Sequence, residues 1–280
     1  MPEEAGGESL IHVAIKAETL FTIGPLQFTN SMVGAMLASA ILLVMAWVFV
    51  RHPALVPSRV QSLIELPIEW IAGIVRSTGG KRWAEFAALV ITVFLFVLVA
   101  NLIGLLPGVG TLGLAHAGEH GEPTLVPLVR AAAADLNFTL GLAIIAFVAF
   151  VAWGIRANGV RGYLKELLIA EPAYMTPLLT PIHLISELSR VISLSMRLFG
   201  NIFAGEALLA VMIVLAPLLV PAAFLGFEVL VAFVQALVFA LLTMTYITLA
   251  IAEHRQHESQ ADDPGTEPER KEASPAPGSA

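Results

Sequence analysis

The chain reads as an all-α integral membrane protein with about five transmembrane crossings, the last two forming a long, strongly tilted helical hairpin. Three observations carry that expectation. Only 13% of the 280 residues are charged against 57% hydrophobic, too few charges to coat a soluble body of this length. The mean hydropathy is +0.83. Several uncharged runs approach the ~20 residues needed to cross ~30 Å of hydrocarbon, and Lys and Arg fall unevenly between them.

The clearest run is 31–50, followed by 86–107 and 138–155. Ahead of them, MPEEAGGESLIHVAIKAETL is acidic and lacks the basic and apolar regions of a cleaved signal peptide. Arg51, Arg59, Arg76, Lys81 and Arg82 follow the first run, the loop 108–137 holds only Arg130, and Arg156, Arg161 and Lys165 follow the third. The C-terminal part adds Arg255, Arg270 and Lys271, against a lone Lys16 near the start. The positive-inside rule then places residues 1–30 outside, the C-terminus in the cytoplasm, and an odd number of crossings in a membrane domain over 31–255.

The hairpin is expected at about 178–253. Its first arm, 178–215, lacks a loop signal apart from Pro181 in its first turn, and would extend roughly 55 Å at 1.5 Å per residue. The second, 221–253, would extend roughly 48 Å. Both exceed the hydrocarbon thickness, so tilt is expected. Pro217 and Pro221 mark the turn between them. The remainder, 256–280, is polar, rich in Pro, Ser and Glu, and reads as a disordered cytoplasmic tail.

Arg197 sits within ISLSMRLFGNIFAGEALLAVMIVLA. A permanent cation at that depth costs roughly 2.5–3.5 kcal/mol on insertion scales, and arginine cannot shed its proton. Arg190, Ser193, Arg197 and Asn201 share one helical face, which Ser186 extends, while Glu206 points to the opposite side. On the second arm Glu228, Gln235, Tyr246 and Glu253 share a face at spacings of seven, eleven and seven. Two polar stripes on apolar helices point to a wet or proton-conducting path. Ser186, Ser193 and Gln235 could also serve as helix–helix glue, Tyr246 and Glu253 as interface anchors, and Arg197 as a partner of a buried carboxylate. A cation channel or secondary transporter would likewise hold charge at mid-membrane, although no internal repeat or Gly-interrupted helix pair is evident.

Other chemistries find no support. With no cysteine, disulfides and thiolate metal sites are excluded. His183 lacks the HExxH spacing, and Gly79–Gly80–Lys81–Arg82 lacks the leading glycine and the Ser or Thr of a phosphate loop. No metal, cofactor or nucleic acid is expected.

Glu187–Leu188–Ser189–Arg190 followed by SLSMRLFGNIFAGE resembles the signature of subunit a of rotary F-type ATP synthases. FVQALVFALLTMTYITLAIAEH is similar to that family's final helix. The likeness extends to Asn101 in NLIGLLPG and to Asp135, Asn137 and Thr139 in DLNFT. One departure is Glu228, where many bacterial members carry histidine. The resemblance implies a non-catalytic, proton-translocating stator subunit that works against a ring of c-subunit proteolipids. Its partners would be that ring, the subunit b peripheral stalk, the other synthase subunits and the lipid bilayer of a bacterial-type energy-coupling membrane. Arg197 would face the ring carboxylate. Glu206, Glu228 and Gln235, with Asp135 and Asn137 near, would line the half-channel open to the outside. Ser186, Ser193 and Asn201 are candidates for the cytoplasmic one, and Tyr246 would lie on the proton path as a whole.

Overall fold

The computed structural model describes residues 17–24, 26–51, 59–106, 108–109, 113–117, 123–168, 176–216 and 219–261. Six α-helices follow in order: α1 (Asn30–Arg51), α2 (Arg59–Thr78), α3 (Trp83–Gly104), α4 (Leu136–Leu168), α5 (Thr176–Leu215) and α6 (Leu219–Ala261). The antiparallel hairpin β1–β2 (Thr19–Ile23, Leu26–Thr29) precedes α1, and a second, β3–β4 (Gly113–Ala117, Pro123–Pro127), joins α3 to α4. All of these helices except α2 are long and apolar enough to cross a membrane, which makes 5 candidate spans and an all-α integral membrane fold.

Helix α2 has no counterpart in the sequence expectation, which treated 51–82 as a connecting segment. Its glutamates and arginines break the uncharged run that marks a span, but its apolar residues recur at helical spacing. The fully buried Ile71 and Val75 belong to the main core alongside Phe86, Val90 and Phe94 of α3. Trp70 packs between Phe94 and Phe233, with ring centroids at 6.4 and 5.6 Å. Pro67 inside α2 removes one helical hydrogen bond.

The core is a helix-on-helix interface with no water-facing side of its own. On α3, Phe86, Val90, Phe94, Val97 and Asn101 recur every three or four residues and are all buried. They meet Ala232, Ala236, Phe239, Ala240 and Ile247 of α6, where the alanines let backbones approach closely. Helix α4 closes the bundle against α5 and α6. Gly159 interrupts it with φ 71° and ψ 159°, a conformation that glycine adopts without a Cβ clash.

Helices α5 and α6 form the expected hairpin, 40 and 43 residues long, or roughly 60 and 65 Å at 1.5 Å per residue. Pro221 falls in the first turn of α6, where its missing N–H has no helical partner to lose; Pro217 lies outside the described residues. One boundary differs from expectation. The helix runs past 255 to Ala261 because AEHRQHESQA contains no Gly or Pro to stop it. The rest of the expected tail, 262–280, lies outside the described residues.

Between β4 and α4 the chain is neither helix nor strand for most of 128–135, yet Arg130 to Asp135 are all buried. Irregular backbone is tolerated at membrane depth only where protein surrounds it. Here α1 and α3 supply the room through glycines. A Cβ on Gly34 would collide with the Arg130 carbonyl, and one on Gly104 with Ala131. Arg130 N donates to Asn30 O at 3.4 Å. Ser31 Oγ donates to Asp135 Oδ2 at 2.7 Å, and Asp135 Oδ1 accepts the Asn137 N–H at 2.9 Å, capping α4. Asp135→Ala should therefore cost about 1–3 kcal/mol of stability. Asn137→Ala, which keeps the capping N–H, should cost under about 0.5 kcal/mol. Unfolding midpoints of the detergent-purified protein check both.

Candidate functional site

Arg197 points away from the bundle. It is exposed, together with Ser186, Ser189, Ser193 and Asn201 on the same face of α5. Around that stripe stand Ile185 (64% exposed), Leu188, Ile192 and Met196, so the cation is set in an apolar surface. Among the described residues no carboxylate lies within ion-pair distance of Arg197. The opposite flank of α5, through Val191, Leu194, Ser195 and Leu198, is buried. Ser195 shares a 3.1 Å hydroxyl–hydroxyl bond with Thr139, which fixes α5 to α4 and so sets the direction in which Arg197 faces.

The polar stripe of α6 faces inward and meets the edge of the α5 stripe along an antiparallel seam. At one end the Arg190 guanidinium lies 5.4 Å from the centroid of the Tyr246 ring and pairs with Glu187 at 2.7 Å. In the middle Asn201 Nδ2 donates to Gln235 Oε1 at 2.6 Å. At the far end Gly205 faces Glu228, whose Oε1 would stand 2.5 Å from any added Cβ. Arg197 sits on α5 between the first and second of these contacts.

The Glu228 end opens into a cavity of about 50 Å³ lined by Asn101, Asn201, Gly205, Glu206 and Glu228 among other residues. Its two carboxylates are unequal. Glu206 accepts a fork from Arg130, with Nε at 2.9 and 3.0 Å from its two oxygens and Nη2 at 2.6 Å from Oε2. Glu228 is 7% exposed, and neither of its oxygens has a hydrogen-bond partner among the described residues. The same holds for both amide atoms of Asn101, which is 1% exposed. Buried polar groups are normally satisfied, and two unpaired polar atoms in each set these two apart from the other buried polar residues described in the bundle.

The residues singled out from sequence thus fall into three groups. Glu206, Glu228 and Asn201 share the cavity wall, and Gln235 is tied to it through Asn201. Asn201, expected on the cytoplasmic path, lines this cavity and donates its amide to Gln235, which α6 presents to that flank of α5. Asp135 and Asn137 do not line the cavity, Asp135 being engaged in capping α4 and Asn137 exposed beside it. Ser193 and Arg197 face outward, and Tyr246 lies at the Arg190 end of the seam. The Glu253 side chain lies outside the described residues. Sequence reasoning missed Arg130, which it used only as a loop charge, and gave Asn101 no role of its own. An arginine in an otherwise uncharged stretch of loop could have been suspected, but its partner lies 76 residues away.

Five apolar spans among the described residues define a membrane protein, whose hairpin carries an inward polar seam and an outward cation with no carboxylate partner among those residues. A model of the family described as ATP synthase A chain matches residues 32–248. The chain is 36% identical over 243 residues to ATP synthase subunit a 2 of Syntrophotalea carbinolica, covering 87% of this chain and 93% of that protein. With ATP synthase subunit a of Gloeobacter violaceus it shares 34% over 257 residues, 90% of this chain and 96% of the relative. With that of Mycobacterium ulcerans it shares 35% over 236 residues, 82% and 89% of the two chains. The chain belongs to the ATP synthase subunit a family, a component of the membrane sector of ATP synthases.

The tight seam has a measurable consequence at Gly205. Gly205→Ala should cost about 1–3 kcal/mol through crowding of Glu228. The G205A/E228D pair, one methylene shorter on α6, should regain part of that loss in unfolding midpoint.

Proposed function

We propose that this chain is the stator that carries protons past a rotating ring of c-subunit proteolipids, through two half-channels that meet at Arg197. The observation that carries the reading is Arg197 itself, a permanent cation on an exposed apolar face with no anionic partner among the described residues. The partner is then a carboxylate of the ring. That carboxylate must be neutral while it faces lipid, since its ionised form is too costly there. Opposite Arg197, at about 4 Å and an effective dielectric near 20, the anion gains about 4 kcal/mol, roughly three powers of ten in proton affinity. The proton leaves on one side of the arginine and is rebound from the other. Because the guanidinium stays charged, it also blocks a direct hop between the two paths.

The outer path enters at the cavity of Asn101, Glu206 and Glu228 and continues through Asn201 and Gln235 toward Arg197. The cavity has room for water, and its unpaired polar groups supply the bonds a water needs. Ser186 and Ser193, with Tyr246 at the Arg190 end, serve the cytoplasmic path. Asp135 and Asn137 support the outer path from the start of α4. The exposed serines on the Arg197 face let a ring helix approach closely. Steeply tilted, the hairpin spans the ring at mid-membrane; the N-terminus lies outside and the C-terminus in the cytoplasm of a bacterial-type energy-coupling membrane. The other apolar faces meet lipid and the peripheral-stalk subunit b. Each proton crossing 100 mV releases about 2.3 kcal/mol, which the ring sums as torque.

In the assembled complex, Arg197→Ala should abolish ATP-driven proton pumping, read as quenching of a pH-sensitive dye in vesicles. Near-normal pumping would sink the proposal. Arg197→Lys should fail or nearly fail as well, because a desolvated lysine can deprotonate and lacks the planar fork. Glu206→Gln and Glu228→Gln should each slow pumping, and together cost far less than the product of the single losses. Mild, multiplicative effects would assign the two carboxylates to separate structural roles.

A further inference from the structure

Arg130 lies in irregular chain, far in sequence from either hairpin arm, and yet its side chain is 7% exposed. Three contacts fix it. Its guanidinium grips both oxygens of Glu206. Its backbone N–H is bonded to Asn30 at the start of α1, and its carbonyl is pressed against Gly34 one turn further on. The next residue, Ala131, lies against Gly104 and forms part of the cavity wall. The charged residues lining this cavity are Glu206 from α5 and Glu228 from α6, while α3 contributes the neutral Asn101; Arg130, from the segment before α4, reaches it through Glu206. Of the two carboxylates, Glu206 is held by this cation and Glu228 is not.

We propose that Arg130 is a positioning residue for proton transfer: it locks Glu206 into a fixed ion pair on the cavity wall, leaving the unpaired Glu228 to take a proton from water and hand it on. The proposal rests on the reading of this cavity as the outer proton path. Arginine suits the task because it never titrates and its fork fixes both carboxylate oxygens at once. Glu206 has a side chain 34% exposed and would otherwise be free to swing. Released, it would bond to Glu228 across the cavity and share its proton, as closely spaced carboxylates do. Helix α1 adds nothing to the cavity lining, but through Asn30 and Gly34 it holds the backbone of the residue that does the sorting.

The test uses the whole synthase in vesicles, stripped of its catalytic head, with passive proton conductance driven by a potassium diffusion potential and the co-purifying c-ring measured alongside. R130Q should assemble with its ring and conduct about tenfold less than the unaltered protein, since misplacement of a reacting group by about 1 Å costs up to about a hundredfold. R130K keeps the charge without the fork and should recover to within about threefold. R130Q/E206Q should conduct no less than R130Q, because nothing is left to position. Gly34→Ala, which displaces the Arg130 backbone and touches neither charge, should lower conductance in the native background and do nothing further on E206Q. Unaltered conductance in an assembled R130Q, or an R130Q/E206Q loss equal to the product of the single losses, overturns the proposal. If R130Q fails to assemble, a loss in R130K or G34A supports it and native conductance in both overturns it. E228Q separates the two layers: normal conductance there removes the proton-path reading itself, while a blocked E228Q beside a normal R130Q removes only the role of Arg130.

Discussion

A charge inside hydrocarbon must be answered by another group, and the organisation of this chain follows from which charges are answered internally. Arg130 is answered by Glu206, Arg190 by Glu187 and the Tyr246 ring, and Asp135 by Ser31 and the start of α4. Two groups on the hairpin have no such answer among the described residues, and they face in opposite directions. Glu228 is turned into a cavity, and Arg197 onto the outer apolar surface. The first arrangement suits a group that exchanges protons with water. The second suits a group whose counter-charge arrives on another molecule.

The rest of the fold holds those two positions apart and in register. Helix α6 turns its polar stripe against α5, so that Asn201–Gln235 and Gly205–Glu228 pin the two arms at successive levels. Packing of α3 on the small residues of α6 and the Thr139–Ser195 bond on α4 fix the rotation of the hairpin. Rotating α5 by one residue, ~100°, would carry Arg197 from the open face toward its neighbours. The irregular chain ahead of α4 is held just as firmly, since a backbone without helical hydrogen bonds survives at membrane depth only when protein closes around it. Gly34 and Gly104 make that closure possible, and the result is an arginine delivered to Glu206 by a segment that is not an α-helix.

Much of this was legible beforehand. Uncharged runs located the first three spans, and the scarcity of helix breakers located the two arms of the hairpin. Helical periodicity placed Ser193, Arg197 and Asn201 on one face and Glu228 and Gln235 on another, with Glu206 turned away from Arg197. What was not legible has a common cause. Helix α2 is amphipathic and charged, so a search for uncharged runs passes over it, although Ile71 and Val75 recur at helical spacing. The Gly, Pro and His that punctuate 105–135 announce turns but not that the segment folds into a hairpin and then buries itself. The bond of Asn201 to Gln235 was not legible either, because periodicity gives a direction from α5 without saying which residue stands there.

By itself the sequence determined an all-α membrane protein with two long final arms and a polar stripe on each, because hydropathy and the 3.6-residue period act within one element. Only the tertiary structure decided which group answers which. Arg130 finds Glu206 across 76 residues and Ser31 finds Asp135 across 104. Such pairings are fixed by how the helices rotate and pack against one another, a property of the assembled bundle that no local pattern encodes.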